Sequence, residues 1–325
     1  TPKALKNLGK RLTEAKHIAF DVETTSTDAM HADLVGISLA LETGQGYYLP
    51  VGHNLTLTGG EQLEFISILD TLRDPLTNPE IPKVGHNLKY DYLVLLRAGL
   101  AVSPLGFDTM IAEWLCDPSS RNLGLKNLAW VRLGIEMTQI EALIGSGRNQ
   151  RSMADVAIGE VAPYAAADAE VCLQLLPELE AELKEKGHWD LFVELEMPLI
   201  TILADMEMAG IKLDTLFLDQ LSTMMGKRLG EIETEIFSQA GHSFNINSTQ
   251  QLSTVLFDEM KLEPPDRTRK TASGHYSTAA GVLEELKDQH PIIQQILEHR
   301  EIAKLKSTYA DSFPNQVHPV TKRVH

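Results

Sequence analysis

The chain of 325 residues is poor in cysteine, in basic residues and in long apolar segments. Its two cysteines lie in apolar surroundings without disulfide or zinc-ligand spacing, which predicts reduced core thiols in a reducing compartment. No apolar run approaches the roughly eighteen residues of a membrane span, and the first residues show no signal-peptide pattern. Because 29 Lys and Arg face 45 Asp and Glu, the net charge of −16 argues against broad electrostatic binding to nucleic acid.

The order of strand and helix patterns predicts two domains, as does the length. Three short apolar runs within residues 17–51 predict strands of a mixed sheet that begins as an antiparallel meander. Helical periodicity dominates the remainder, and after about residue 190 strand patterns largely stop. We therefore expect an α/β domain over residues 1–190 and an all-α region over residues 191–325.

Two long helical segments mark the all-α region. Within residues 214–241 apolar residues recur at gaps of three and four, which produces a stripe suited to packing on another long helix. Residues 291–311 form the second segment. The pattern predicts an antiparallel helical hairpin, and the densest basic cluster of the chain, Arg267, Arg269 and Lys270, is expected near its tip.

Four acidic side chains in three separated segments point to a reaction. Asp21 and Glu23 lie two residues apart on a predicted strand, so they project from one face. Asp91 and Asp168 lie in two later segments that also contain apolar neighbours, where an unpaired charge is costly. Converging acids repel one another, and a divalent cation relieves that repulsion.

Spacing on two predicted helices adds polar partners to this set. Tyr164 lies four residues before Asp168, so the two share a face, and the three residues between them are all alanines, which allow close helix packing. Asn87 and Asp91 have the same spacing at a helix start, where the helix dipole favours a carboxylate or a phosphate.

The combination predicts a two-metal phosphodiesterase site. The four acids offer only oxygen ligands, which suit Mg²⁺ or Mn²⁺. Two such ions about 4 Å apart would clamp the attacking and leaving oxygens of an in-line displacement. A phenol beside the metals would orient the attacking water.

Three motifs carry a family resemblance. DVETTSTD, NLKYD and YAAADAEV resemble the three exonuclease motifs of the DEDDy 3′→5′ proofreading exonucleases. FDTM, EMPL, FNINSTQQL and the terminal HPVTKRVH resemble the exonuclease-to-thumb region of bacterial family A DNA polymerases, so the resemblance covers essentially the whole chain. It implies a ribonuclease H-like exonuclease domain over residues 1–190 and a thumb-like helical region over residues 191–325.

The resemblance also implies roles for the acidic residues. Asp21, Glu23 and Asp168 would hold the first metal ion, and Asp21 and Asp91 the second. Tyr164 would position the nucleophilic water, with Glu23 as its partner. The implied reaction is removal of the 3′-terminal nucleotide of DNA as a nucleoside 5′-monophosphate.

Substrate contacts follow from the same resemblance. Thr24 and Asn87 would contact the terminal nucleotide or its phosphate, although the residue before Asn87 is His86 where the family often has Gln. A single-stranded 3′ end would occupy the exonuclease site. Duplex DNA would lie at the thumb, beside the basic cluster at residues 267–270. The implied location is the bacterial cytoplasm, in association with the nucleoid, without a membrane partner.

The ends of the chain carry a further expectation. The sequence begins with Thr1 rather than Met, and the resemblance places palm and fingers after His325. We therefore expect a processed or cut product that synthesises DNA only if a separate polypeptide supplies palm and fingers.

Two alternatives remain open from the sequence. In the first, the exonuclease fold is a catalytically silent scaffold that binds DNA or a polymerase partner chain, although loss of activity in such folds normally involves loss of the carboxylates. An RNA-trimming exonuclease of the same superfamily is the second alternative, and the polymerase-like second half argues against it.

Overall fold

Two units, Thr1–Ala209 and Gly210–His325, make up the computed structural model of the chain. The structure describes residues 1–58, 61–266 and 270–325. The division follows Ala209, whereas the sequence places a boundary after residue 190. The difference arises because the helix Met197–Ala209 buries part of its surface in the core of the first unit.

The first unit contains a mixed five-stranded sheet. Its strands are β1 (Ile18–Thr24), β2 (Leu34–Glu42), β3 (Gln45–Pro50), β4 (Lys83–Gly85) and β5 (Leu105–Asp108). They lie in the order β3-β2-β1-β4-β5; β1, β2 and β3 are antiparallel, and β4 and β5 run parallel to β1. The mixed sheet and its antiparallel meander are therefore confirmed.

Helices surround this sheet. They are α1 (Pro2–Thr13), α2 (Leu55–Thr58), α3 (Phe65–Thr77), α4 (Leu88–Arg97), α5 (Thr109–Cys116), α6 (Leu125–Leu133), α7 (Glu141–Ile144), α8 (Ile158–Glu185), α9 (Trp189–Leu191) and α10 (Met197–Ala209). The longest, α8, packs on β1, β2 and β3. A Cβ at Gly46 would lie 2.6 Å from the Ala166 carbonyl oxygen, so the absence of a side chain at Gly46 allows β3 to approach the helix.

The core of the first unit is apolar and contains both cysteines. Phe20 and the β2 residues Ile37 and Leu39 are fully buried between the sheet and the helices. Cys116 and Cys172 are buried free thiols in the same core, as predicted. Burial raises the pKa of the Cys116 thiol to about 11, so this group stays protonated at neutral pH.

The second unit is helical. It contains α11 (Thr215–Ala240), α12 (Thr249–Ser253), α13 (Ala280–Leu286) and α14 (Pro291–Leu305). Arg228 of α11 forms two hydrogen bonds, of 2.8 and 3.0 Å, with Glu298 of α14. Ser222, which lies earlier on α11, donates a hydrogen bond of 2.6 Å to Asp311, which follows α14. Residues earlier on α11 thus contact residues later in the chain, so α11 and α14 run antiparallel, which confirms the predicted hairpin.

Membrane insertion was not expected from the sequence. Among the helices in the described part of the chain, none has both the length and the apolar character that crossing a membrane requires.

Arg132 forms a partly buried charge network in the first unit. It donates to Glu113 Oε2 through Nε at 2.9 Å and through Nη2 at 2.6 Å. It also pairs with Glu182 and, at 3.3 Å, with Glu178 on α8. The side chain of Glu113 is only 4% exposed, so Arg132 supplies the positive charge for a carboxylate that water barely reaches.

Replacement of Arg132 should therefore destabilise the fold. We expect Arg132→Met to lower the free energy of unfolding by about 3 kcal/mol, because Glu113 would remain buried without a cation. Lys184→Met, which breaks an exposed pair with Glu180, should cost less than about 1 kcal/mol. Urea unfolding followed by circular dichroism measures both, and equal losses would contradict the assignment.

Candidate active site

The second half of β1, beyond its pairing with β4, positions the first part of the site. β1 pairs with β2 along its length, but its parallel pairing with β4 includes only Ile18 and Ala19. Further along, the Val22 N–H donates a hydrogen bond of 3.1 Å to Asp91 Oδ1 at the start of α4. Asp91 is thus tied directly to the strand that carries Asp21 and Glu23.

Three of the predicted carboxylates converge. Oxygen atoms of Asp21, Glu23 and Asp168 all lie within 4.8 Å of one another, and Asp91 lies outside this group of three. Glu23 and Asp168 are each 7% exposed and Asp91 is 3% exposed, whereas Asp21 is partly exposed. All four line one cavity of about 810 Å³, and Thr24, Asn87 and Tyr164 line it too.

Helix α8 brings Tyr164 and Asp168 to the cavity. The two residues lie one helical turn apart, as their spacing predicts. Ala165 and Ala169 are fully buried, which lets this part of α8 lie close to the sheet. Tyr164 itself packs in a small apolar cluster, so its ring is held in place and only 9% exposed.

The acidic groups raise one another's pKa values. Burial raises the pKa of Asp21 to about 8, and the nearby charge of Asp168 adds to the effect. Burial and the charges of Asp21 and Asp168 raise the pKa of Glu23 to about 9. Burial first, and then the charge of Asp21, raise the pKa of Asp91 well above its usual range. These carboxyl groups therefore resist ionisation together unless positive charge joins them.

The donor set fits a hard divalent cation. Asp21, Glu23 and Asp168 present carboxylate oxygens at ligand separation, and no sulfur or imidazole belongs to this group. Mg²⁺ and Mn²⁺ prefer such oxygen ligands. The two positive charges of such an ion would also offset the repulsion that raises the pKa values of these carboxyl groups.

Lys126 is a site residue that the sequence motifs do not reveal. Its ammonium pairs with Asp168 Oδ1 and lies 4.2 Å from the centre of the Tyr164 ring. It comes from α6, in the long segment between the second and third motifs, and only the fold brings α6 against α8. A lysine in a predicted helix gives no signal that it faces a distant carboxylate.

Asp108 is a second missed residue. It is 1% exposed and its carboxylate accepts hydrogen bonds from the N–H groups of Asn87 and Leu88, at 3.2 and 2.7 Å. It also caps α5 through the N–H groups of Met110 and Ile111. Asp108 thereby fixes the start of the helix that carries Asp91; the FDTM segment gave the only signal, as an acid before a helix.

Polar neighbours complete the wall around Asn87. The hydroxyl of Tyr90 forms a short hydrogen bond with that of Thr24. His86 Nδ1 lies 2.9 Å from Thr109 Oγ1, and burial lowers the pKa of His86 to about 4, so its ring is neutral at physiological pH. Asn87 itself adopts left-handed backbone angles, φ 59° and ψ 45°, a conformation that asparagine tolerates.

The predicted basic cluster belongs to the second unit. Arg267 and Arg269 lie outside the described residues. Lys270 forms an antiparallel bridge with Tyr276, and its ammonium lies 5.0 Å from the centre of that ring.

Two protein families match the sequence. Residues 1–184 match the family described as 3′-5′ exonuclease. The chain belongs to the 3′-5′ exonuclease family. Residues 215–325 match DNA polymerase family A. The sequence-based resemblance to the exonuclease and thumb region of bacterial family A polymerases is thus confirmed.

The chain also has individual relatives that agree with this membership. It is 43% identical to DNA polymerase I of Chloroflexus aurantiacus over 99% of the chain and 34% of that protein. It is 36% identical to DNA polymerase I of Pseudomonas aeruginosa, covering 97% of the chain and 35% of that protein. The chain therefore spans about a third of the length of these curated relatives.

A solved structure shares the fold of this chain. The POL domain of Pol1 from M. smegmatis, in complex with DNA primer-template and dNTP, superposes with a TM-score of 0.81 at 26% identity. The match covers 100% of this chain and 51% of that one.

The raised carboxyl pKa values predict a pH dependence of stability in the presence of EDTA. Asp21 titrates at an ordinary value of 3.8 when unfolded and at about 8 when folded, so the unfolded state ionises first. The stability that protonation supports is complete below about pH 4 and is lost as pH rises to about 8. We expect Asp21→Asn to lose less unfolding free energy than the original chain between about pH 6 and about pH 9.

Thermal unfolding at these two pH values measures the difference. Asp70→Asn on α3 is the matched control, because it makes the same chemical change at an exposed position. A fall in melting temperature that is as large in Asp21→Asn as in the original chain would contradict the predicted charge repulsion.

Proposed function

We propose that the chain removes the terminal nucleotide from the 3′ end of DNA and releases it as a nucleoside 5′-monophosphate. The observation that carries this proposal is the convergence of Asp21, Glu23 and Asp168 within 4.8 Å, with Asp91 in the same cavity. Family membership supplies the reaction class, and the acidic cavity supplies a place for it.

Four carboxylates would hold two divalent ions, Mg²⁺ or Mn²⁺. Asp21, Glu23 and Asp168 would bind the first ion, and Asp21 and Asp91 the second. When bound, the ions supply Lewis-acid stabilisation for the charge that develops on the phosphate. The protein contributes rigid ligands: Asp21 and Glu23 lie on a strand inside the sheet, and Asp91 is held by the Val22 N–H.

Tyr164 would orient the attacking water. Burial and the nearby charges of Asp168 and Glu23 raise the pKa of Tyr164 far above its usual range, so the phenol remains protonated at neutral pH. The phenol can therefore donate a hydrogen bond to the attacking water, and Glu23 would accept a hydrogen bond from the same water. Hydrolysis joins the water oxygen to phosphorus and breaks the bond from phosphorus to the 3′ oxygen of the preceding nucleotide, which takes up a proton.

Thr24 and Asn87 would bind the terminal nucleotide. Both line the cavity, and Asp108 holds the Asn87 backbone while Tyr90 holds the Thr24 hydroxyl. Fixed polar groups of this kind orient a substrate without a loss of side-chain freedom on binding. A single-stranded or frayed 3′ end is the proposed substrate, and the bacterial nucleoid the proposed location.

The second unit would bind duplex DNA. Its match to DNA polymerase family A and the primer-template in the related M. smegmatis structure support this part of the proposal. Lys270 would contact the backbone, together with Arg267 and Arg269. Proofreading during DNA synthesis would require palm and fingers, from a separate polypeptide or from further residues of a longer chain.

One observation favours the silent-scaffold alternative. Lys126 already neutralises Asp168, and an ammonium at a metal ligand is one way to disable a metal site. All four carboxylates and Tyr164 are nevertheless present around the cavity, which favours the active enzyme. DNA and RNA oligonucleotides compared side by side distinguish the RNA-trimming alternative, because a protein can read the 2′-hydroxyl.

Loss of one metal ligand should abolish the reaction. We expect Asp21→Ala and Asp168→Ala to lower Mg²⁺-dependent degradation of a 5′-labelled single strand by at least about 10³-fold, because transition-state charge would lose its counter-ions. Product lengths on a denaturing gel measure the rate.

Asp70→Asn on α3 is the control and should degrade DNA at the original rate, since Asp70 is exposed and does not line the cavity. Circular dichroism should confirm that all three variants fold. Undiminished hydrolysis by either alanine variant, or none by the original chain, would refute the proposed site.

The duplex-binding role of the second unit has its own test. In the presence of EDTA, affinity for a primer-template should be weak and should fall steeply with salt. Lys270→Gln should weaken binding and reduce the slope of log affinity against log salt by about 0.9, because one phosphate contact is lost. Lys287→Gln, at an exposed lysine of the same unit, should leave the slope unchanged. Fluorescence anisotropy measures the slopes, and equal slopes in both variants would contradict the role of Lys270.

A further inference from the structure

Lys126 brings a positive charge to the carboxylates that would bind metal. Its ammonium pairs with Asp168 Oδ1 and lies over the ring of Tyr164, 4.2 Å from the ring centre. The side chain of Lys126 is 16% exposed and that of Asp168 is 10% exposed. Because both are largely removed from water, solvent and salt screen their attraction much less than at a surface.

The influence of Lys126 extends beyond its direct partner. Its positive charge lowers the pKa values of Asp21, Glu23 and Asp168, against the burial that raises all three. Among the described residues that line the cavity, the other Lys or Arg is Arg151, which is 51% exposed and lies 3.8 Å from Glu160; the ring of His86 is neutral. Lys126 is therefore the cation that opposes the repulsion within the acidic group.

A divalent ion would compete for the same oxygen. If Asp168 is a metal ligand, its Oδ1 cannot bind the Lys126 ammonium and the divalent ion equally well at the same time, since two cations that contact one oxygen atom repel each other. Lys126 lines the same cavity as Asp168 and Tyr164, so a displaced ammonium has this cavity to move into.

We propose that Lys126 is a built-in counter-ion of the acidic group, which a divalent ion must displace from Asp168 in order to bind. The inference rests on the proposed function, because it assumes that Asp168 is a metal ligand. Lys126 is a positioning residue in this scheme: it holds Asp168 through the ion pair, and it sets how tightly the ion binds. Competition of this kind is reciprocal, so removal of the ammonium should strengthen binding of the ion.

Calorimetric titration of the whole chain with Mn²⁺ tests the inference. Lys126→Met keeps a side chain of similar length without charge, and it should bind Mn²⁺ about tenfold more tightly than the original chain. Lys126→Arg retains the cation and should bind within about twofold of the original affinity. Lys184→Met makes the same change of net charge at an exposed pair, and its affinity should be unchanged.

A second readout needs neither DNA nor catalysis. In EDTA, Lys126→Met should melt at a lower temperature than the original chain, because the carboxylates lose their cation. Saturating Mn²⁺ should raise its melting temperature by more than it raises that of the original chain. If Lys126→Met does not fold, the neutral polar Lys126→Gln serves in both measurements.

The outcomes separate the two proposals. No Mn²⁺ binding by the original chain overturns the proposed metal site itself. Mn²⁺ binding by the original chain with equal or weaker binding by Lys126→Met overturns only the inference about Lys126. Tighter binding by Lys126→Met, with Lys126→Arg and Lys184→Met unchanged, supports it.

Discussion

Repulsion among buried carboxylates is the constraint on which the first unit depends. Asp21, Glu23 and Asp168 have oxygens within 4.8 Å of one another, and their burial makes each negative charge costly. Such a group survives in a folded protein only where positive charge joins it or where protons neutralise it. Lys126 brings an ammonium to this group, and a bound cation would offset the remaining negative charge.

The surrounding fold holds this unfavourable group together. β1 gives Asp21 and Glu23 a rigid base inside the sheet, and α8 approaches that sheet closely where Gly46 faces the backbone of Ala166. Asp108 then ties the start of α4 to that of α5 through four backbone N–H groups. The apolar core and these hydrogen bonds stabilise the fold and offset the destabilisation by the acidic residues of the cavity, as is common at functional sites.

The patterns that are local in sequence predicted the most. The short apolar run of β1, the helical spacing of Tyr164 and Asp168, and the long apolar stripe of α11 each depend on neighbouring residues. The structure contains the strand, the shared helix face and the antiparallel pair. The end of the first unit was harder to predict from the sequence. No strand pattern separates α10 from the helical region that follows, and only its packing on α4 and β5 assigns it to the first unit.

The sequence by itself determined which chemistry is available: four carboxylates, a tyrosine and an asparagine in three motifs, with oxygen donors that suit hard cations. Only the tertiary structure decided what surrounds them. Lys126 lies 42 residues before Asp168, and Asp108 lies 20 residues after Leu88, so no local period in the sequence indicates either contact. Charge attraction and hydrogen bonding act through space, so the cation of the acidic group became visible only when α6 was placed against α8.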